Sequence, residues 1–335
     1  MGAIFDANFW QDLDADGLKH QKFVIRSEED LPQHVDSIPS GVTIANIVVK
    51  YFNRAEKTRC IRCGMKRHRN GAVIALTNGD LALIGSKCGP DYFGKEEWGR
   101  AESAFIGAQK RGEGLRWADT FIENYETIKN SLILFRKLFS DFEAKSKLIS
   151  DFFGTSDYFA IRNLCVRNGG ALVFERRIES EQRIAALKQA KAKTDDNGFF
   201  YDSVSLGRLE GGEIFSLVGV SSKIQSFIDE AAARLRDVKD EHVSTSKLSR
   251  GKKWYEDLKE SINDYFDKLT KSVRFTSEKN LKIFLEWDRR RPSSAYFEYQ
   301  NGNLLVATGE NQRKISPALF DSLSLPTVPP TRQWP

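Results

Sequence analysis

The chain has 335 residues, of which 40% are hydrophobic and 29% charged, with 51 Lys and Arg against 46 Asp and Glu. This composition is typical of a soluble globular protein of two or three domains, and it excludes a collagen-like or wholly disordered chain. Because no apolar run approaches the about 20 residues that cross a bilayer, and because the N-terminus lacks the pattern of a secretory signal, we expect a cytoplasmic protein without a membrane partner.

The first part of the chain predicts a small β-rich domain. Val42–Phe52 is rich in β-branched and aromatic residues and indicates a strand, with Lys22–Arg26 as a weaker candidate. The apolar runs Ala72–Leu76 and Leu81–Ile84 flank Asn78-Gly79, a pair that tolerates the positive φ of tight hairpin turns. These runs therefore predict a β-hairpin.

A helix is expected to follow the hairpin. It begins near Asp91 or Lys95 and runs toward Lys110. The stretch Gly112-Glu113-Gly114 is then expected to form a joint, because glycine weakens a helix. The joint ends a first domain, residues 1–114.

Three long amphipathic helices are expected within residues 115–275, a mainly helical region. Their apolar residues recur at intervals of three and four, which keeps each stripe on one helix face. The stripes are Trp117, Phe121, Tyr125, Ile128, Leu132, Phe135, Phe139 and Phe142; Ile224, Ile228, Ala231, Leu235 and Val238; and Trp254, Leu258, Ile262, Tyr265 and Leu269. The stripes can be buried in an antiparallel bundle or, alternatively, in a coiled coil that joins two chains.

Residues 276–335 predict a small α/β element. Ser277 can cap a helix that ends near Trp287, and Tyr296–Gln300 can pair with Leu304–Ala307 across Asn301-Gly302. The proline-rich end, Pro326–Pro335, is expected to be an extended tail. The predicted fold class is therefore α+β, with a small β-hairpin and helix module, a long helical bundle or coiled-coil region, and this C-terminal element.

Three of the four cysteines have the arrangement of metal ligands. Cys60 and Cys63 form a C-x2-C pair that can direct two thiolates at one ion, and Gly64 lets the backbone curl around the sulfurs. Cys88 lies where the hairpin returns and the helix begins. This pattern predicts a Zn²⁺ site.

The order of a C-x2-C turn, a β-hairpin and a ligand at a helix start resembles the treble-clef group of zinc fingers, over about residues 58–110. Treble clefs usually present two ligands from the helix start, whereas Cys88 stands alone there. His68 is the preferred fourth ligand, because C-x2-C-x4-H resembles the start of retroviral-type zinc knuckles; the alternatives are Asp91, Cys165 or water. Short zinc modules on helical arms look like those of bacterial or phage proteins.

The zinc is expected to be structural. Catalytic zinc keeps a position for water beside a general base, and the chain has neither a His-x-Glu nor a His-Glu-x-x-His motif. The enzymatic alternative is an HNH-like metal-dependent nuclease, which needs a pair of metal-binding histidines. His68 is the sole histidine between His34 and His242, so an enzyme is not favoured.

Positive charge is concentrated around the cysteines. Residues 1–49 carry three basic and eight acidic side chains, whereas residues 50–69 carry eight basic and one acidic. Cations on a rigid loop suit the phosphates of DNA or RNA; the alternative is an ordinary solvated loop. The expected nucleic-acid contacts are Arg59, Arg62, Lys66, Arg67 and Arg69, extended by Lys252 and Lys253.

Aromatic residues near the cysteines can stack on exposed bases. The candidates are Tyr51, Phe52, Tyr92, Phe93 and Trp98, although Phe93 and Trp98 are expected to pack the zinc module instead. The preferred hypothesis is a non-enzymatic, zinc-stabilised nucleic-acid-binding protein whose helices mediate assembly with itself or a protein partner. The alternative is a zinc-stabilised adaptor that binds an acidic protein.

Overall fold

The computed structural model describes residues 9–26, 30–52, 58–195, 197–290, 296–308 and 311–335, and it is a mixed α+β protein, as the sequence predicted. The chain forms two compact units, each made of segments that are separated in sequence. The first unit comprises Met1–Tyr125, Ala233–Glu256 and Pro335, and the second comprises Glu126–Ala232 and Asp257–Trp334. None of the described helices combines the length and the apolar composition that crossing a bilayer requires.

The first unit begins with two short helices and a set of strands. The helices are α1 (Phe9–Asp12) and α2 (Ala15–His20). The strands are β1 (Val24–Ile25), β2 (Ile44–Phe52), β3 (Thr58–Arg59), β4 (Lys66–His68), β5 (Asn70–Leu76) and β6 (Leu81–Gly85). A sheet of order β1-β2-β5-β6 contains the predicted long strand and the predicted hairpin, while β3 and β4 pair separately.

Both faces of this sheet are covered. On one face Ile25, Val49, Tyr51, Val73 and Leu83 form a buried cluster. The indole of Trp10 donates a hydrogen bond of 3.1 Å to the carbonyl of Ile47 in β2. Since β2 carries buried residues at consecutive positions, it lies inside the unit, and burial of its apolar side chains stabilises the sheet.

Two helices follow the sheet: α3 (Cys88–Phe93) and α4 (Lys95–Asn168). Helix α4 is interrupted at Gly154, which has φ 73° and separates two helical segments. The predicted joint at Gly112–Gly114 is wrong, because both glycines lie inside α4. A β-carbon added at Gly112 would lie 2.6 Å from the carbonyl oxygen of Leu18, and one added at Gly114 would lie 2.8 Å from the β-carbon of Leu248. These glycines therefore permit close packing.

The rest of the chain alternates helices with short strand pairs. In chain order the elements are β7 (Ala171–Arg177), α5 (Glu181–Gln189), β8 (Tyr201–Arg208), α6 (Val220–Val238), α7 (Thr245–Ser272), α8 (Glu278–Asp288), β9 (Tyr296–Gln300), β10 (Asn303–Thr308) and β11 (Asn311–Ile315). The antiparallel pair β7/β8 lies within the region for which the sequence predicted mainly helices.

The apolar stripes of α4, α6 and α7 consist of buried and half-buried residues, as their spacing predicted. In α4, all the stripe residues from Phe121 to Phe142 are buried, and Trp117 is half-buried. In α6, Ile224, Ala231 and Val238 are buried, and in α7, Leu258, Ile262 and Leu269 are buried. Each helix therefore contributes its apolar face to a core within this chain.

The directions of these helices differ from a simple antiparallel bundle. In the first unit, α4 and α7 run in the same direction, since Gly114 lies against Leu248 and Phe121 contacts Tyr255, with ring centroids 6.0 Å apart. In the second unit, α4 and α6 run in opposite directions. There, Arg136 donates a hydrogen bond to Gln225, whereas Glu143, seven residues further along α4, accepts one from Ser221.

The C-terminal element contains α8 and the antiparallel sheet β11-β10-β9. The predicted hairpin turn is present, with φ 51° at Asn301 and 78° at Gly302. The expected extended tail is wrong. Pro330–Gln333 forms a 3-10 helix, and Trp334 is buried, because an apolar indole at the chain end gains more from packing than from solvent exposure.

Candidate metal centre

The C-x2-C pair lies in the turn that joins β3 to β4. The amide of Gly64 donates to the carbonyl of Cys60 at 2.9 Å, and the amide of Cys60 donates to the carbonyl of Met65 at 3.3 Å. Gly64 adopts φ 66°, a left-handed conformation that other residues rarely take. The glycine therefore closes the turn that brings both sulfurs to one side, as the sequence predicted.

Four side chains converge beside this turn. Cys60, Cys63, His68 and Cys88 place one ligand atom each within 4.8 Å of all the others. His68 Nε2 lies 3.1 Å from Cys63 Sγ and 4.0 Å from Cys88 Sγ. Because zinc binds sulfur at about 2.3 Å and nitrogen at about 2.0–2.1 Å in a tetrahedron, this cluster could hold one metal ion.

Separate elements deliver the remaining two ligand atoms. His68 is the last residue of β4, and Cys88 is the first residue of α3. The converging group contains neither of the alternative protein ligands. Asp91 is exposed on α3. Cys165 belongs to the second unit, where it packs against Gly212: a β-carbon added to that glycine would lie 2.9 Å from the β-carbon of Cys165.

The turn is anchored to the edge of the four-stranded sheet. The amide of Ile61 donates to the carbonyl of Leu83 in β6 at 2.9 Å. The amide of Gly85, the last residue of β6, donates to Cys60 Sγ at 3.3 Å. The sheet thus fixes the first ligand directly, and Cys60 is fully buried.

Backbone amides and neighbouring ligands set the acidity of the thiols. Burial acts to raise the pKa of Cys60, but hydrogen bonds from the amides of Gly85, Cys63 and Arg62 outweigh it and hold that pKa below its usual value. A hydrogen bond from His68 lowers the pKa of Cys63. Burial, a hydrogen bond with Cys60 and the charges of Cys60 and Cys63 raise the pKa of Cys88 to about 11. A cation beside Cys88 would favour its thiolate form and so lower this pKa.

Of the five aromatic residues that are candidates for stacking on bases, three are buried, Phe52 is half-buried and one is exposed. Tyr51, Phe93 and Trp98 are buried, and Trp98 lies so close to Gly89 that a β-carbon there would be 2.3 Å from the indole. Burial, followed by the charges of the three cysteines, raises the pKa of Tyr51 above its usual value. By contrast, Tyr92 on α3 is 39% exposed.

Three of the expected nucleic-acid contacts surround the cluster with exposed cations. Arg59, Arg62 and Arg69 are exposed, and no carboxylate in the described part of the chain forms an ion pair with them. Lys66 and Arg67 belong to β4, but their side chains lie outside the described part, as do Arg54 and Lys57 entirely. Within the described residues, these three guanidinium groups are therefore free of ion pairs.

In the second expected basic region, one of the two lysines lies beside a carboxylate. Lys252 lies 3.9 Å from Glu113, and Lys253 is exposed beside it on α7. Neither lysine is joined to the cysteine cluster by a hydrogen bond or ion pair within the residues described.

The sequence reasoning did not assign a role to Gly85 or to Met65. Gly85 accommodates the imidazole of His68, and its position in Gly85-x-x-Cys88-Gly89 was the available signal. Met65, inside the turn, is 46% exposed.

No family model matches this chain, and neither the curated proteins nor the solved structures yield a match to it.

Proposed function

We propose that the cluster is a structural zinc site of treble-clef type. Three thiolates and an imidazole are ligands that zinc prefers, and four protein ligands complete its tetrahedron and leave no position for a reacting water. The converging group contains no carboxylate that could act as a base beside an open position. When bound, the metal supplies a fixed charge and four bonds rather than a reaction.

The local structure explains what zinc contributes. Strands β3 and β4 have two and three residues, and they pair with each other alone. A two-stranded hairpin of this size is at best marginally stable in water. Structural zinc contributes about 10 kcal/mol or more to folding of small modules, so we expect the ion to hold this hairpin against the sheet.

We infer that the zinc module binds nucleic acid. The observation that supports this function is the presence of three exposed arginines, Arg59, Arg62 and Arg69, in or next to a hairpin that one metal ion would hold rigid. In the part of the chain that the structure describes, none of the three forms an ion pair. A guanidinium binds phosphate through two parallel hydrogen bonds, and each phosphate that is neutralised releases counterions. A rigid surface presents these cations without the entropy cost of ordering a loop.

A charge-reversal experiment tests this function. The variant Arg59→Glu/Arg62→Glu/Arg69→Glu should lose at least about tenfold in affinity for DNA and RNA at about 50 mM salt, since it removes three phosphate contacts. The matched control, Lys188→Glu/Lys193→Glu/Lys223→Glu, makes the same change of charge at exposed positions of the second unit. Fluorescence anisotropy gives the affinities, and metal analysis confirms that each variant retains zinc.

The outcomes separate the three hypotheses. Binding that weakens steeply between about 50 and 300 mM salt, and that only the arginine variant loses, supports the function. Equal losses in both variants would indicate nonspecific attraction and would contradict it. If no nucleic acid binds at low salt, the adaptor hypothesis takes its place, and divalent-dependent cleavage of the strand would instead favour the nuclease.

A further inference from the structure

The exposed ring of Tyr92 lies next to Arg62, and each of these residues is close in sequence to a cysteine of the candidate metal centre. The guanidinium carbon of Arg62 lies 5.1 Å from the centroid of the Tyr92 ring, within the distance of a cation–π contact. Arg62 is one of the two residues between Cys60 and Cys63, whereas Tyr92 follows Cys88 by one turn of α3. A metal ion in the cluster would therefore connect the two elements that carry this pair.

One further contact supports the ring. Phe93 meets Tyr92 edge to face, with ring centroids 4.8 Å apart and an interplanar angle of 88°, and Phe93 itself is buried. The aromatic–arginine surface, defined as Arg62 and Tyr92, thus combines a supported, exposed ring with a cation.

This combination has a specific chemical preference. An exposed aromatic ring beside an arginine suits a ligand that offers a flat apolar face and a negative charge within a short distance. A nucleotide whose base is unpaired has both features, because its base can stack on an aromatic ring while its phosphate contacts a guanidinium. In a duplex the base faces are already stacked on neighbouring bases, so this surface could reach only the backbone.

We propose that the aromatic–arginine surface binds unpaired bases, so that the protein prefers single-stranded nucleic acid to duplex. The proposal rests on the nucleic-acid-binding function inferred above and adds the class of strand and the residue that distinguishes it. Tyr92 stacks on a base, and Arg62 contacts the adjoining phosphate. The buried rings of Tyr51, Phe93 and Trp98 are excluded from this role.

The experiment compares strands that carry equal charge but differ in their bases. The probes are fluorescently labelled oligo-dT, an abasic strand of the same length, oligo-U and a duplex, each titrated with the zinc-loaded full-length protein. The variants are Tyr92→Ala and Tyr92→Phe, with metal analysis to show that both retain zinc. Stacking on one ring is worth about tenfold in affinity.

The expected result is an affinity for oligo-dT about tenfold above that for the abasic strand. Tyr92→Ala should abolish this difference and leave the salt dependence unchanged, whereas Tyr92→Phe should keep it. Equal affinities of the unaltered protein for oligo-dT and the abasic strand would overturn the proposal, and so would tighter binding of the duplex than of oligo-dT. Comparison of oligo-U with oligo-dT shows whether RNA or DNA is preferred.

Failure of this proposal is distinct from failure of the proposed function. If all strands bind equally and the binding depends on salt and on the three arginines, the phosphate-binding function stands and the base-stacking proposal is wrong. If no strand binds at low salt, both are wrong.

Discussion

The imidazole of His68 lies against Gly85, where a β-carbon would come within 2.3 Å of Nδ1. The same glycine donates its amide to Cys60 Sγ. One residue at the end of β6 therefore fixes the first ligand through its backbone and leaves space for the histidine ligand by lacking a side chain.

We predict that Gly85→Ala weakens metal binding. The added methyl group would displace the imidazole from the sulfurs, and disturbed positioning of a metal ligand costs about 10–100-fold in affinity. Competition with a chromophoric zinc chelator measures the change. Gly99→Ala is the control, because a β-carbon at Gly99 meets nothing within 4 Å. Equal zinc affinities of the two variants would show that His68 does not depend on this space.

Replacement of His68 tests the ligand set. His68→Ala should lose most of its zinc, since it leaves three cysteines, whereas His68→Cys should retain the ion because four thiolates also form a closed zinc site. Asp91→Ala is the control and should keep full occupancy, as Asp91 is outside the converging group. Inductively coupled plasma mass spectrometry gives the zinc content. Full occupancy in His68→Ala would exclude histidine as a ligand.

Two leucines of α4 provide a matched test of the core. Leu132 is fully buried, whereas Leu134, two residues further on, is 70% exposed. Leu132→Ala should lower the free energy of unfolding by about 2–5 kcal/mol, because it leaves a cavity. Leu134→Ala should change it by less than about 0.5 kcal/mol. Urea denaturation gives both values, and similar losses would contradict the burial of the stripe.

The buried amide of Asn280 connects two segments of the second unit. Its side chain accepts from the amide of Glu210 at 3.1 Å and donates to the carbonyls of Glu210 and Phe275 at 2.8 and 2.9 Å. Asn280→Asp should destabilise the protein by about 3 kcal/mol, because it buries an acid and leaves two carbonyls without a donor. Asn130→Asp, at an exposed site, should have little effect. Denaturant unfolding compares them, and equal stabilities would be inconsistent with the network.

Alkaline pH should destabilise the fold partly through Tyr255. Burial raises the pKa of Tyr255 from 10.0 to about 12. Between these two values the unfolded chain releases a proton that the folded chain retains, so the free energy of unfolding falls as pH rises. From pH 9 to 11 this loss should be smaller in Tyr255→Phe, by on the order of 1 kcal/mol. Identical slopes for the two proteins would contradict the prediction.

The sequence allowed the convergence of Cys60, Cys63, His68 and Cys88 to be predicted because its signal is local. A C-x2-C turn, a glycine after it and a cysteine before a helix each constrain a few neighbouring residues. The apolar stripes were similarly informative, since the period of Phe121 to Phe142 depends only on helix geometry. Such features need no knowledge of distant partners.

The errors arose where a distant partner decides the structure. The local sequence predicts a joint at Gly112 and Gly114, but the role of these glycines depends on Leu18 and Leu248, which lie far away in the sequence. The pair β7/β8 was not predicted, although β8 alternates between exposed and half-buried positions. Its partner, β7, gives no such pattern in the sequence.

In the first unit, the helices that pack against α4 come from residues 233–256, which lie more than a hundred positions after the sheet in the sequence. Gly251 of that segment lies so close to Trp117 that a β-carbon would be 2.5 Å from the indole. During synthesis, residues 1–125 therefore have an uncovered helix face until residue 256 has left the ribosome. A fragment cut off before that point would expose the same apolar face and would be prone to aggregation.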